Sequence, residues 1–155
     1  MMEEQKALVL FVCSSGGHLA QLVPLADLGP DVRTRWVTFP TADAVSQLAG
    51  HDVVSAHHPT TRHFPNLLRN LRLAWRMLRQ DRPSVVVSSG AAVAVPFFLV
   101  GRLFGVPCIF IEVFDRIDSA TLTGRLVQPL ATRMLVQWPQ QESLYRRAEV
   151  VGPLL

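Results

Sequence analysis

The sequence predicts a single α/β domain in which a parallel β-sheet carries helices on both faces. The chain has 155 residues, the length of one domain, and 49% of them are hydrophobic, which can fill a sizeable core. Short apolar runs alternate with stretches of helical character, without a linker, an internal repeat or a low-complexity tract. These observations together predict a Rossmann-like, doubly wound sheet.

The individual elements follow from the alternation. Six strands are predicted from the apolar runs, at 7–12, 35–39, 53–56, 85–87, 108–111 and 134–136. Six helices are predicted at 18–28, 41–49, 64–80, 92–104, 120–131 and 140–147. Pro24 and Pro96 lie inside two of these helices, so we expect kinks or late starts there. Ligands bind at the carboxyl ends of such strands, so the loops after Val12, Val87 and Ile111 should form the site.

Composition argues against several classes of protein. Cys13 and Cys108 both fall in apolar runs, which favours buried reduced thiols over a disulfide framework or a metal cluster, and we expect a cytosolic setting. The acidic start at residues 1–4 predicts that there is no secretory signal. The uncharged stretches 7–26 and 83–101 are each broken by a Ser-Ser-Gly turn, which argues against membrane-spanning helices.

A loop of small residues follows the first strand. Ser14, Ser15, Gly16 and Gly17 lead into a helix that begins near His18. Glycine permits close backbone approach, and the amides at a helix start favour an anion, although such loops also occur for packing alone. The loop lacks the lysine of a P-loop and the spacing of the dinucleotide fingerprint. His18 is a candidate general base at the mouth of this loop, and the alternative is a histidine that caps the helix.

A second loop of small residues follows the strand predicted at 85–87. It contains Ser89, Gly90 and Ala91, and it precedes another apolar helix. The two loops would lie at the same edge of the sheet and line one groove. Tight packing between strand and helix explains the second loop equally well.

Glu112 ends the apolar run of the strand predicted at 108–111. A carboxylate at the carboxyl end of a buried strand is costly unless it is paired or used, so Glu112 is a candidate site residue. The alternative is a salt bridge to Arg116 or Arg125.

The long helix predicted at 64–80 combines basic and apolar faces. The net charge of the chain is +3, but residues 61–155 hold twelve basic and six acidic side chains, and fourteen of the fifteen basic residues in the chain are arginine. One helical face is predicted to enter the core, with Phe64, Leu67, Leu68, Leu71, Trp75 and Leu78. The adjacent face is predicted to lie on an anionic membrane surface, with Arg69, Arg72, Leu73, Arg76, Met77 and Arg79.

The membrane contact predicted for this basic helix has alternatives. A solvated basic face is the alternative to membrane contact. Phe97, Phe98 and Phe104 of the following helix are either a second apolar contact with the membrane or buried against the sheet. No nucleic-acid partner is expected, because no recognition-helix motif accompanies the arginines and the chain has only one tyrosine for stacking.

Four segments carry a resemblance to a known family. They read "SSGGHLAQL", "VVVSSGAAVAVPFFLVGRLFGVPCIFIEVFDR", "TLTGRLVQPLA" and "VQWPQQESLYRRAEVVGPLL". Over nearly its whole length the chain resembles the acceptor-side, membrane-anchoring subunit of two-part N-acetylglucosaminyltransferases, including the versions of bacterial capsule and exopolysaccharide biosynthesis. More distantly it is similar to the amino-terminal half of the peptidoglycan glycosyltransferase that makes lipid II, which has the GT-B fold.

The resemblance implies a function and a set of roles. The whole chain would be one GT-B half domain that holds a polyprenyl-diphosphate-linked sugar, while a separate donor-binding subunit presents a UDP-sugar. By position it implies that residues 14–17 bind the acceptor diphosphate, with His18 as base and Glu112 orienting His18 or the acceptor sugar. No metal or other cofactor is expected.

The resemblance also implies a location in the cell, and the chain departs from the family pattern at one position. Eukaryotic members carry an amino-terminal membrane helix, which this sequence does not predict. We therefore expect peripheral attachment at the cytoplasmic face of the plasma membrane. Relatives usually have glycine where this chain has Ala92, and the added methyl group could narrow the approach of a ligand. The alternative function is a non-catalytic anchor that recruits a catalytic partner.

Overall fold

The computed structural model describes residues 6–155, and its strands form one sheet. The acidic start at residues 1–4, on which the prediction of no secretory signal depends, lies outside the described residues. Seven strands pair in the order β3-β2-β1-β4-β5-β6-β7, and every described pairing is parallel. The predicted Rossmann-like α/β class is therefore confirmed.

The strands and helices alternate along the chain, as the apolar pattern predicts. The strands are β1 (Ala7–Cys13), β2 (Val32–Thr38), β3 (Asp52–Ser55), β4 (Val85–Gly90), β5 (Cys108–Ile111), β6 (Arg133–Val136) and β7 (Ala148–Val150). The α-helices are α1 (Gly17–Leu22), α2 (Ala42–Gln47), α3 (Phe64–Asp81), α4 (Ala94–Phe104) and α5 (Leu122–Val127). Short 3-10 helices cover Val23–Leu25 and Pro139–Leu144.

The core has two parts, one on each face of the sheet. Alternate residues of β1 enter different parts, since Leu10 and Val12 pack with α3, α4 and α5, whereas Phe11 and Cys13 pack with α1 and α2. Phe11 stacks on the buried Trp36 of β2 with ring centroids 4.3 Å apart. The sheet is thus covered on both sides, which accounts for its nearly continuous apolar strands.

Several predicted boundaries were wrong. The helix predicted at 140–147 is a 3-10 helix opened by Pro139, and the chain then forms β7, which was not predicted because only three residues pair. Strand β2 begins at Val32, three residues before the predicted start. The prediction missed this first half because Arg33 and Thr34 interrupt the apolar pattern. The expectation for Pro96 is confirmed, since α4 starts late and Pro96 falls in its first turn. Pro24 causes neither a kink nor a late start: α1 ends before it, and Pro24 lies in the 3-10 turn that follows.

The orientation predicted for α3 was wrong. Leu73 and Met77, expected at the surface, are each only 5% exposed, whereas Phe64 and Trp75, expected in the core, are 68% and 45% exposed. Leu67 and Leu68 are also exposed, Leu71 is partly buried, and Leu78 is buried as predicted.

Two asparagines explain this orientation. The side chain of Asn70 accepts a bond from the His57 amide at 2.9 Å and donates to the His57 carbonyl at 2.9 Å. Asn66 donates to the Pro59 carbonyl at 2.8 Å. These bonds satisfy the backbone after β3 and turn the asparagine side of α3 inward, which a count of apolar residues cannot detect.

Candidate functional site

The site lies where the direction of the sheet's connections reverses. Strands β1 and β4 are neighbours, and the chain leaves them toward helices on opposite faces of the sheet, which leaves a crevice at their carboxyl ends. The two predicted loops meet there, because Cys13 pairs with Gly90 and the Ser14 amide donates to the Gly90 carbonyl at 3.1 Å.

His18 is held against the second loop by two reciprocal hydrogen bonds. Its Nδ1 lies 2.8 Å from the carbonyl oxygen of Ser89, and the Ser89 hydroxyl donates to the His18 carbonyl at 2.8 Å. A carbonyl oxygen can only accept, so Nδ1 carries a proton. In the neutral ring Nε2 is then an unprotonated acceptor, which is the form that a general base requires.

Gly90 allows this close packing. A Cβ atom at position 90 would lie 2.8 Å from His18 Cε1, and the residue has φ = 115°, a conformation that side chains disfavour. A larger residue would therefore displace the imidazole. Ser88 and Ser89 are buried, and Ser89 contacts His18 through both its backbone carbonyl and its hydroxyl.

The glycines of the first loop are open to solvent, and one of their amides already binds a carboxylate. Gly16 and Gly17 are exposed, and no atom lies within 4 Å of a Cβ built on either, apart from their chain neighbours. The Gly16 amide donates to the carboxylate of Asp43 at 2.8 Å. Asp43 lies in the first turn of α2, and nothing in its sequence context pointed to it. This loop therefore already binds a carboxylate oxygen through a backbone amide.

Glu112 is fully buried and bonds to its own loop. Its carboxylate accepts from the Val113 amide at 2.9 Å, from the Thr121 amide and hydroxyl at 3.2 and 3.1 Å, and from the Tyr145 hydroxyl. Among the described residues it makes no ion pair, so the alternative of a bridge to Arg116 or Arg125 is wrong, and it makes no hydrogen bond to His18. Its position therefore fixes the loop at 113–121.

Tyr145 is the neutral partner of this buried carboxylate. Burial, and then the adjacent Glu112, raise the pKa of the Tyr145 hydroxyl well above its ordinary value. The phenol therefore keeps its proton at neutral pH and remains a donor to Glu112. Burial likewise raises the pKa of the Cys13 thiol to about 12, so this residue beside the first loop is not an activated nucleophile.

A cleft of about 230 Å³ separates α1 from the loop after β5. It is lined by Gly17, His18, Gln21, Val113, Phe114, Asp115, Arg116 and Thr121. Three buried glutamines, at positions 21, 137 and 141, bond to the backbone directly after β5, on one side of the cleft. Gln141 donates to the carbonyls of Val113 and Arg116 at 2.8 and 3.1 Å. Sequence reasoning missed these glutamines, because a single glutamine in an apolar context has no distinguishing pattern.

The outer face of α3 lies apart from this cleft. Arg69, Arg72, Arg76 and Arg79 are exposed as predicted, but Leu73 and Met77 are buried and cannot contact a membrane. The exposed apolar residues beside the arginines are Phe64, Leu67, Leu68 and Trp75. Trp75 packs edge-on against the half-exposed Phe104 of α4, with ring centroids 4.7 Å apart, whereas Phe97 and Phe98 are buried. Between residues 6 and 155, no helix is both long and apolar enough to span a bilayer.

Sequence comparisons place this chain among known proteins. The family described as "Oligosaccharide biosynthesis protein Alg14 like" matches residues 29–154. The chain is 35% identical over 75 residues to the UDP-N-acetylglucosamine transferase subunit alg14 of Schizosaccharomyces pombe, covering 45% of this chain and 36% of that protein. It is 22% identical over 178 residues to the Rattus norvegicus subunit ALG14, covering 95% and 82%. The chain thus spans little more than a third of the S. pombe protein.

Solved structures share the fold at low sequence identity. Acinetobacter baumannii MurG superposes with a TM-score of 0.78 at 18% identity, over 96% of this chain and 46% of that one. A UDP-N-acetylglucosamine 2-epimerase superposes with a TM-score of 0.76 at 13% identity, over 96% and 48%. The fold is that of a GT-B N-terminal half, as predicted.

The fold alone does not select an activity, because MurG and an epimerase share it. The family match is more specific, since it extends over most of the chain and includes β2 to β7. This protein belongs to the Alg14-like family of oligosaccharide biosynthesis proteins.

Proposed function

We propose that this chain is the acceptor-side subunit of a two-component glycosyltransferase. It would hold a polyprenyl-diphosphate-linked saccharide, while a separate subunit presents a UDP-sugar, in the biosynthesis of a polysaccharide such as a capsule or exopolysaccharide. Family membership supports the class, since the relatives are named as subunits of a UDP-N-acetylglucosamine transferase. The observation that carries the proposal is the bond from His18 Nδ1 to the Ser89 carbonyl, which leaves Nε2 as a base beside the cleft.

In this proposal His18 takes the proton of the acceptor hydroxyl. As the proton passes to Nε2, the hydroxyl oxygen forms a bond to the anomeric carbon of the donor sugar. The bond from that carbon to the diphosphate oxygen of the nucleotide breaks, and UDP leaves with the electron pair. The partner would supply the groups that stabilise UDP. No metal or cofactor is included for this chain.

The first loop would bind the acceptor diphosphate. The amides of the exposed Gly16 and Gly17 and the hydroxyls of the partly buried Ser14 and Ser15 are donors suited to phosphate oxygens. The carboxylate of Asp43 holds the Gly16 amide at 2.8 Å, and a phosphate oxygen would replace it. Ser89, Gly90 and Ala91 would line the other side, and Glu112 would order the loop that faces the acceptor sugar.

The exposed face of α3 would lie on the membrane at the cytoplasmic side. Arg72, Arg76 and Arg79 are exposed, and none of the ion pairs among the described residues uses them. Arginines beside exposed Phe64 and Trp75 suit an anionic bilayer surface. The chain would then be a peripheral protein that collects its lipid substrate from the bilayer.

The activity is tested by co-expressing the chain with a candidate donor-binding subunit. Membranes are assayed with a panel of labelled nucleotide-sugars and a lipid-linked acceptor. Transfer should require both subunits. Full activity of the partner alone on a soluble acceptor would favour a non-catalytic anchor, and saturable nucleotide binding to the isolated chain would favour an enzyme that acts alone.

Membrane binding is tested by flotation with vesicles that contain anionic phospholipid. Reversing two charges, with Arg72→Glu and Arg76→Glu, should weaken binding at least about tenfold, since each surface arginine contributes about 1 kcal/mol. The matched control reverses Arg33 and Arg146, which are exposed elsewhere. Equal losses in both pairs would mean that net charge, and not the α3 face, determines binding.

A further inference from the structure

Gln21 is a buried amide in the wall of the cleft that contains His18. It follows His18 by three residues, nearly one turn of α1, and only 2% of it is exposed. Both residues line the same cleft of about 230 Å³. A buried amide normally has partners for its oxygen and its nitrogen, so each end of Gln21 requires a partner.

The orientation of the Gln21 amide is fixed by its neighbours. Its Oε1 accepts from the Phe114 amide at 3.1 Å and from Gln137 Nε2 at 2.6 Å. Gln137 cannot be turned over, because its Nε2 also donates to the Glu112 carbonyl at 3.0 Å and its Oε1 accepts from the Leu154 amide at 3.0 Å. A backbone amide can only donate and a carbonyl can only accept, so the oxygen of Gln21 must face Phe114.

The Gln21 amide nitrogen therefore points away from this network, and no described residue accepts a hydrogen bond from it. Gln21 Nε2 has no partner, and yet it is not one of the fully buried side-chain atoms without a partner among the described residues. It is therefore partly accessible and borders open space. The open space beside Gln21 is the cleft shared with His18. Two N–H donors are thus available to a ligand in the cleft next to the base.

We infer that Gln21 Nε2 binds an oxygen of the lipid-linked acceptor that can only accept, a carbonyl or a phosphate oxygen. The Gln21 NH₂ group can only donate, so its partner must be an acceptor. This acceptor oxygen is a different atom from the hydroxyl that reacts at His18. This inference rests on the proposed function, because it assigns the cleft to the acceptor. Gln21 is then a substrate-binding residue that helps to select the acceptor.

The variant Gln21→Glu tests this assignment with little change to the network. Either oxygen of the new carboxylate accepts from Phe114 and Gln137, but the group facing the cleft becomes an acceptor in place of a donor. The Michaelis constant for the acceptor should rise about tenfold or more, because one hydrogen bond is lost and two acceptor oxygens repel each other. The Michaelis constant for the UDP-sugar should stay unchanged. The matched control Gln47→Glu makes the same substitution at an exposed position of α2 and should change neither constant.

The measurements use the complex of this chain with its donor-binding subunit, and pairing and melting temperature are measured for each variant. If Gln21→Glu fails to pair, Gln21→Asn, which retracts the amide and keeps it neutral, replaces it with the same expected change. An unchanged acceptor constant in a correctly paired variant would overturn the assignment of Gln21 alone. A wild-type complex that transfers no sugar to any lipid-linked acceptor would overturn the proposed function itself.

Discussion

The two loops that face each other across the cleft are built in opposite ways. The first loop, at residues 14–17, exposes its glycines, and its Gly16 amide bonds to an exposed carboxylate on another element. The loop at 113–121 is held from beneath by the fully buried Glu112 and Gln141. A contact with an exposed side chain can be exchanged for a ligand at little cost, whereas a buried hydrogen-bonded carboxylate cannot. With the proposed function, the comparison predicts that the first loop binds the acceptor and that the loop at 113–121 keeps its shape.

His18 belongs to the binding side of this comparison, and its loss should have the largest effect. His18→Ala should lower kcat of the reconstituted complex by about a hundredfold or more, because a positioned general base contributes that much. Pairing and vesicle binding should be unchanged, since α1 and α3 pack on opposite faces of the sheet. Near-normal turnover would show that the imidazole only fixes the second loop through Ser89.

If the role of Glu112 is to fix the loop, its loss should lower the stability of the protein and not kcat, which is the opposite of the expectation for His18. Glu112→Ala leaves the donors of Val113, Thr121 and Tyr145 without their acceptor, which should lower the free energy of unfolding by about 2–4 kcal/mol. Tyr145→Phe removes one of these bonds and should cost less. Chemical denaturation measures both. A loss of kcat without any loss of stability would instead make Glu112 a catalytic residue.

Two glycines offer a matched test of the same contrast: Gly17 belongs to the first loop, and Gly124 lies in the first turn of α5, directly after the loop at 113–121. A Cβ on Gly124 would collide with the Tyr145 hydroxyl, so Gly124→Ala should cost about 2 kcal/mol of unfolding free energy by overpacking. A Cβ on Gly17 meets no other atom within 4 Å, so Gly17→Ala should leave stability within about 0.5 kcal/mol.

Gly17→Ala should nevertheless raise the acceptor Michaelis constant, because its methyl group would enter the space above the first loop. Equal losses of stability in the two glycine variants, measured by denaturation, would contradict the contrast between the loops.

The sequence predicted much of this architecture, because the strand and loop signals are local. Six of the seven strands and the meeting of the two small-residue loops follow from apolar runs and from the rule for parallel sheets. The prediction of which face of α3 enters the core failed, because Asn66 and Asn70 bond to backbone groups of the segment after β3, 7 and 13 residues earlier in the chain. Asp43 could not be predicted for the same reason, since it reaches Gly16 across 27 residues. Long-range polar contacts leave no period in a sequence.

Asp43 gives the smallest effect and the finest test of the exchangeable loop. In Asp43→Asn the side-chain oxygen still accepts from the Gly16 amide, so the loop keeps its shape, but the negative charge that would oppose a diphosphate is gone. The acceptor Michaelis constant should fall about threefold, and the difference from wild type should shrink at high salt, because exposed charges are screened. If the constant rises instead, Asp43 orders the loop and is not displaced, and the first loop would then resemble the fixed loop opposite it.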